Sequence, residues 1–295
     1  MTKLEKLITS EFFIDKYLQN VPDNFKWQNT PLQIYPLSRL TDLFTLPIPF
    51  IRNDYNFLFY LKQGDFVQVI GTENYHVQAD SFVFVAAGVV NSLQKVSKDM
   101  AGYFVLIKDE AMSAFFNREK LLSLYTINPV FKMNSSDSAW MGSLLELLWS
   151  EYESDQPNAF IGHGIGQALL YKVLDLSGIN KPVSRMQQIA IEFKILVHRN
   201  FMTEKNVSFY ADYFSVSENY LNRCVKKYFY KSSKEIITET TILNSQVMLW
   251  TLSKSIAEIS YELNFEDPSY FTRLFKRFTG TSPTEYRRKI MHDLS

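Results

Sequence analysis

The sequence predicts an α+β protein: an antiparallel β-barrel with flanking helices, then an all-α domain of two helix–turn–helix units joined by a long linker helix. Three observations predict this. Short apolar runs separated by turn residues fill positions 30–110. The hydrophobic period then lengthens to four residues. Finally, a stretch around position 220 recurs around position 270.

The strand-like runs are Phe57–Leu61, Phe66–Ile70, Phe82–Val85 and Tyr103–Ile107. They are short and rich in β-branched and aromatic residues, which suit a pleated, half-buried surface. Gln63-Gly64-Asp65, Gly71-Thr-Glu-Asn74 and Ala79-Asp80-Ser81 separate them as turns. Close spacing without intervening helices argues for an antiparallel barrel or sandwich. Next, Trp140, Leu144, Leu148 and Tyr152 recur every fourth residue, with Met141 and Leu145 alongside, and Ile161, Ile165, Leu169 and Val173 repeat the pattern. These are two amphipathic helices joined by Ser154-Asp-Gln-Pro157. They are expected to pack on the barrel, to form a dimer surface, or both. Gly178–Pro182 reads as a linker. Ser184 begins a helix whose buried stripe is Met186, Ile189, Ala190, Phe193, Leu196 and Val197, with Gln187 placed for a capping box. The expected division is a barrel over residues 1–135, a dimerising helical pair over 136–180 and a helical domain over 181–295.

Composition narrows the function classes. Of 295 residues, 46 % are hydrophobic, enough for a core without covalent staples, and Cys224 is the single cysteine, so no internal disulfide forms. No apolar run reaches the ~18 residues of a membrane span. Met1–Ser10 lacks a signal-peptide core, so the expected location is the cytoplasm. The net charge of zero hides an asymmetry: residues 1–180 hold 14 Lys/Arg against 19 Asp/Glu, and residues 181–295 hold 17 against 12. An acidic part joined to a basic part suggests that only the second meets a polyanion.

The repeat carries more information. Tyr220-Leu-Asn-Arg-Cys-Val-Lys-Lys-Tyr228 aligns with Tyr270-Phe-Thr-Arg-Leu-Phe-Lys-Arg-Phe278, and Ser232-Ser-Lys-Glu235 aligns with Ser282-Pro-Thr-Glu285. The last pair has Ser at an N-cap and Glu three residues on, the pattern of a capping box. Upstream, Val207, Ala211, Phe214 and Val216 match Ile256, Ser260, Leu263 and Phe265, with one extra residue in the turn Glu266–Ser269. Each unit is then a first helix (207–214, 256–263), a turn, and a second helix (218–229, 268–279). Ser255 and Glu258 cap the first helix of the second unit, and Asp267 with Pro268 opens its second. The stretch Ser233–Leu252 reads as one helix, about 30 Å long at 1.5 Å per residue. That approaches the ~34 Å between successive major grooves on one face of DNA.

Positions 219, 222, 223 and 226 form one helical stripe, and so do 269, 272, 273 and 276. Neither stripe contains an acid. Asn219, Asn222, Arg223, Lys226 and Lys227 in the first unit, and Ser269, Thr272, Arg273, Lys276 and Arg277 in the second, are therefore the candidate DNA-binding residues. Amides and arginines read base edges, and lysines suit phosphates. A solvated charged face explains one such helix; two matched copies favour DNA.

This part resembles the DNA-binding domain of AraC/XylS-family regulators. The string Ser255-Ile-Ala-Glu-Ile-Ser-Tyr-Glu-Leu-Asn-Phe-Glu-Asp-Pro-Ser-Tyr-Phe-Thr-Arg-Leu-Phe-Lys-Arg-Phe-Thr-Gly-Thr-Ser-Pro-Thr-Glu-Tyr-Arg-Arg288 carries the resemblance, which spans residues 184–290. Asn264 stands where the family has glycine, Tyr230 where the second unit has Gly280, and Cys224 in place of a larger apolar residue. The resemblance implies a bacterial transcription regulator with base-facing Asn219, Asn222, Arg223, Ser269, Thr272 and Arg273. The segment Gly64–Gly102 resembles, more loosely, the cupin-like sensor barrel of such regulators. That implies a small-molecule effector inside the barrel and a homodimer joined through residues 138–176. The expected partners are double-stranded DNA, an effector and a second copy of the chain, with RNA polymerase a further candidate and no membrane. No effector-binding residue is named by the sequence.

Three alternatives accompany this reading. A metal-dependent cupin enzyme fused to the DNA-binding part would need clustered His and carboxylates. The barrel segment offers His76 alone, with no histidine in Ala87-Gly-Val-Val-Asn91. His163, His198 and His292 lie elsewhere, and Gly162-His-Gly-Ile-Gly166 lacks the strand context of a nucleotide loop. No catalytic residue, metal ligand or cofactor is therefore expected, and the chain is read as a non-enzyme. A DNA-alkylation sensor would use Cys224 as nucleophile, a position that suits a small core residue better. A regulator that takes no ligand is the third.

Overall fold

The structure, a computed structural model, describes residues 8–21, 30–124, 127–178, 184–250 and 252–293. The described residues divide into two compact units, 8–178 and 184–293. Of the expected linker, only Gly178 lies within the described residues; 179–182 lie outside them, as do the first seven residues. No described helix is long and apolar enough to cross a membrane.

The first unit begins with a short helix, α1 (Ser10–Tyr17), whose N-cap Thr9 accepts a hydrogen bond from the Phe12 amide. Eight strands follow: β1 (Leu32–Pro36), β2 (Ile51–Arg52), β3 (Asn56–Gln63), β4 (Asp65–Ile70), β5 (Glu73–Gln78), β6 (Ser81–Val85), β7 (Val90–Val96) and β8 (Ala101–Ile107). Then come α2 (Asp109–Phe115), α3 (Arg118–Leu124), β9 (Val130–Lys132), α4 (Ser135–Glu153) and α5 (Ala159–Leu176). All ladders are antiparallel, in a five-stranded sheet ordered β1-β8-β3-β6-β9 and a four-stranded sheet ordered β2-β7-β4-β5.

Between barrel and sandwich, the pairing gives two sheets, with no ladder closing them among the described residues. The turns explain why. Of the three read from the sequence, the one at Gly71 makes a hairpin between β4 and β5. Those at Gly64 and Asp80, both at positive φ, carry the chain from one sheet to the other. Phe57, Phe59, Val83, Val85 and Leu106 of the five-stranded sheet pack with Ile51, Phe66, Ile70, Val77 and Leu93 of the other.

The five-stranded sheet is covered on both faces, so β3 and β6 read as continuous apolar runs instead of alternating ones. Leu58, Tyr60, Phe82 and Phe84 point the other way, toward Met141, Leu145 and Leu148 of α4 and Leu169, Leu170 and Val173 of α5. The Tyr60 hydroxyl donates to the Ser138 carbonyl at 2.9 Å and ties α4 to the sheet. Within Gly162–Gly166, Gly162 and Gly166 sit against other side chains, while Gly164 has open space. A Cβ on Gly166 would come within 2.6 Å of Leu32 Cδ2, so only glycine lets α5 approach β1 this closely. Leu148, expected to pack on the barrel, at a dimer surface or at both, is fully buried against the sheet. The apolar residues that α4 and α5 leave exposed are Trp140, Leu147, Phe160, Ile161 and Tyr171.

The second unit is all helix: α6 (Arg185–Asn200), α7 (Val207–Tyr213), α8 (Glu218–Phe229), α9 (Ser233–Met248), α10 (Ile256–Glu262), α11 (Pro268–Thr279) and α12 (Pro283–Asp293). Ser184 caps α6 by accepting from the Gln187 amide. One core joins α6, α7, α8 and the start of α9, through Phe193, Tyr210, Leu221, Val225 and Ile237. A second joins the end of α9 to α10 and α11, through Leu249, Ile259, Leu263, Phe271 and Phe275, with Phe201 from beyond α6. The two helix–turn–helix units thus share α9, and the chain just past α6 reaches the second core.

The linker helix is shorter than the sequence suggests. It ends at Met248, not Leu252, so its 16 residues span about 24 Å. Past that point the amides of Leu249 and Trp250 return to Ser245 and Val247 and close the helix. Arg287 of α12 donates to the Leu249 carbonyl (3.2 Å) and the Lys254 carbonyl (2.7 Å), holding the chain in its turn toward α10. Leu249, just beyond Met248, faces the second core, whereas Leu252 is half exposed.

Candidate nucleic-acid interface and ligand cavity

The second helix of each unit is set by its caps. Ser217 opens α8 by accepting from the Tyr220 amide at 3.2 Å. Asp267 opens α11 by accepting from the amides of Ser269 (2.7 Å) and Tyr270 (3.1 Å), with Pro268 at the first helical position. Both helices end on a left-handed residue, Tyr230 (φ 56°) in one and Gly280 (φ 79°) in the other. The following helices open identically, with Ser232–Glu235 and Ser282–Glu285 making reciprocal side-chain and backbone hydrogen bonds.

Burial sorts the candidate residues. Asn219, Arg223, Lys226 and Lys227 on α8 are exposed, as are Ser269, Arg273, Lys276 and Arg277 on α11. Asn222 and Thr272 are half-buried. Asn222 has a partner already: its Oδ1 accepts from the Ser233 amide at 3.0 Å and satisfies an orphan donor at the start of α9. In each unit the arginine lies over a tyrosine one turn back. The Arg223 guanidinium is 5.0 Å from the Tyr220 ring and the Arg273 guanidinium 6.0 Å from the Tyr270 ring. Arg273 also approaches Asp267 Oδ2 at 3.7 Å.

The tyrosine–arginine pairing was not singled out from sequence, although its i, i+3 spacing is visible there. Tyr270 and Phe278 of α11 are close to half exposed. Cys224 is fully buried, and burial pushes its thiol above the ordinary range, which disfavours a nucleophilic thiolate.

The first unit holds a cavity of about 50 Å³ between its sheets. Aromatic walls come from Tyr35, Phe57, Phe59 and Phe104, and α1 contributes Phe13 and Ile14. Four buried amides, Gln33, Asn53, Gln68 and Asn91, also line it. The sequence reading named no cavity residue. A signal existed: Phe66, Gln68 and Ile70 share one face of β4 by the two-residue period, so an inward Phe and Ile put Gln68 inward too. His76, the barrel's histidine, pairs instead with Asp65 at 2.8 Å on the exposed surface. Among the described residues no group of three His, Cys, Asp or Glu is placed to hold a metal ion.

Two helix–turn–helix units on a shared scaffold, each presenting a cationic second helix, define a double helix–turn–helix domain. Residues 210–289 match the family model described as a helix-turn-helix domain. The chain is 29 % identical over 126 residues to the Msm operon regulatory protein of Streptococcus mutans, covering 43 % of this chain and 45 % of that one. It is 22 % identical over 143 residues to the raffinose operon transcriptional regulatory protein RafR of Pediococcus pentosaceus, covering 45 % and 50 %. The chain spans about half the length of these relatives. Among solved structures, ToxT from Vibrio cholerae is similar at 17 % identity and a TM-score of 0.46, over 87 % of this chain and 97 % of that one. Residues 210–289 thus form a helix-turn-helix domain of the AraC type.

Proposed function

We propose that this protein is a sequence-specific DNA-binding transcription regulator whose state is set by a small molecule in the cavity of its first unit. The observation that carries the DNA-binding reading is the matched pair of exposed stripes on α8 and α11. Arg223 and Arg273 occupy equivalent places, each steadied on a tyrosine ring, with Lys226, Lys227, Lys276 and Arg277 beside them. On this reading the arginines, with Asn219 and Ser269, face base edges, and the other four cations hold phosphates. Asn222 and Thr272 sit at the rim. No catalytic step is assigned to the chain.

The test is binding of the full chain to duplexes selected from a randomised library. Each phosphate contact contributes a slope of about −0.9 in log affinity against log salt, so four give roughly −3.6. The expected outcome is one bipartite site bound with at least that slope. Salt-independent binding, or no duplex retained, overturns the reading. A second copy of the chain is the proposed protein partner, across the outer face of α4 and α5, where Leu147 and Phe160 are exposed.

A further inference from the structure

The chemistry of the cavity between the sheets limits what it can take. Among the described residues that line it, none is Lys, Arg, His, Asp or Glu. An ion entering it would shed its water and meet no counter-charge among these residues, a penalty that neutral molecules escape. The walls are mostly aromatic and aliphatic, so the bulk of an occupant is apolar.

The four amides then set the polar requirement. Gln33 is fully engaged: its Nε2 donates to the Thr30 carbonyl at 3.0 Å, and its Oε1 accepts from the Tyr35 hydroxyl at 3.0 Å. Asn91 is engaged as well. Its Nδ2 donates to the Val89 carbonyl at 3.1 Å, which fixes the amide's orientation because a carbonyl can only accept. Asn91 Oδ1 is therefore turned toward Gln68, and Gln68 must present its Nε2 there, at 3.5 Å. That leaves Gln68 Oε1 as an acceptor. It is buried without a partner in a side chain 1 % exposed, and so is Asn53 Oδ1 in a side chain 3 % exposed. Both residues line the cavity. A buried acceptor left unmatched is costly, and the occupant that removes the cost brings a donor.

We infer that the ligand of this cavity is a small uncharged molecule, ring-sized and apolar over most of its surface, with a hydroxyl or amide N–H that donates to Gln68 Oε1. The volume agrees with the size: one water needs about 10–15 Å³ measured this way, so about 50 Å³ admits a few waters or one small ring. This inference rests on the proposal that the cavity is the effector site, and it specifies the ligand class.

Four probes of one ring size separate the requirements: phenol, anisole, toluene and benzoate, titrated calorimetrically into the full chain at pH 7. Phenol carries a donor, anisole an oxygen without one, toluene neither, and benzoate a charge. Phenol should bind roughly three- to ten-fold tighter than anisole and toluene, the effect of one net hydrogen bond. Benzoate should not bind in the same range. In Gln68→Met the phenol-to-toluene ratio should fall to about one, and because both ligands are measured on the same variant, altered stability cancels. The comparison of phenol with anisole on the unaltered chain stands even if that variant fails to fold. Benzoate binding as tightly as phenol, anisole matching phenol, or none of the four binding overturns the ligand class. The salt-dependent DNA binding described above is measured separately, so it distinguishes failure of this inference from failure of the DNA-binding reading.

Discussion

Tyr230 and Gly280 close matching helices in the same left-handed conformation, yet only one is a glycine. A side chain in that region costs roughly 1–2 kcal/mol, and Tyr230 is 91 % exposed, so little packing offsets the cost. Tyr230→Gly should therefore stabilise the second unit by about 1 kcal/mol. Gly280→Ala should destabilise it by a similar amount, since a Cβ there meets nothing within 4 Å and backbone strain is the whole effect. Denaturant midpoints of the two variants check both signs. Asn222 and Asn219 present another contrast. Asn222→Ala removes the acceptor for the Ser233 amide and should cost about 1 kcal/mol of stability, with little change in base preference. Asn219→Ala should leave stability unchanged and alter base preference. An arginine–guanine contact gives about 1–3 kcal/mol of discrimination. Arg223→Ala should accordingly relax base choice in one half-site and Arg273→Ala in the other, read from selection on a randomised library. Unchanged profiles for both would remove these arginines from base reading.

At the scale of elements, α4 and α5 show how a stripe divides between core and surface. Leu148 is fully buried on the sheet, whereas Leu147 is 60 % and Phe160 88 % exposed. Leu148→Glu would bury an unpaired charge and should unfold the first unit. Leu147→Glu with Phe160→Glu should leave it folded and give a monomer by light scattering, if a second copy covers this face. A dimer that survives both changes places the interface elsewhere. The period of four residues in Trp140, Leu144, Leu148 and Tyr152 marks the helix correctly. It does not say which edge of the apolar arc the sheet takes, because a helix presents a wide arc and its neighbour covers only part of it.

For the molecule's helical unit as a whole, the shared helices matter most. Phe193 and Val197 of α6 belong to the first core, Phe201 just past its end to the second, and α9 is divided in the same way. Asn264 Nδ2 adds a tie across to the Thr203 carbonyl at 3.0 Å. Both cores draw on α9, and the chain leaving α6 enters the second, so the spacing of α8 and α11 is fixed by rigid elements. A duplex with five extra base pairs between half-sites turns one of them through about half a helical turn. Binding should then fall to the level of a single half-site, measured by titration against the unaltered duplex. Equal affinity for both spacings would show the two units moving independently.

The sequence by itself determined the helical unit almost to the residue. Its signals are local: Ser and Asp caps, Pro at a helix start and the duplicated stripe of Asn219 to Lys227 and Ser269 to Arg277 all act within a turn or two of chain. It also identified β3, β4, β6 and β8 from composition, because buried strands draw on β-branched and aromatic residues. Tertiary structure decided the rest. The Gly64 and Asp80 turns look like hairpin turns, but strand partners are chosen by packing across the sandwich, so those turns join different sheets. Ser233 to Leu252 looks like one helix, yet Arg287, distant in sequence, holds its end at Met248. Asn222 reads from sequence as one of a polar stripe, and only the fold shows that its oxygen also caps the Ser233 amide. Gln68 acquires its meaning only from Asn91 and Val89, two residues on and beside a neighbouring strand, because an unmatched acceptor is a property of everything around it.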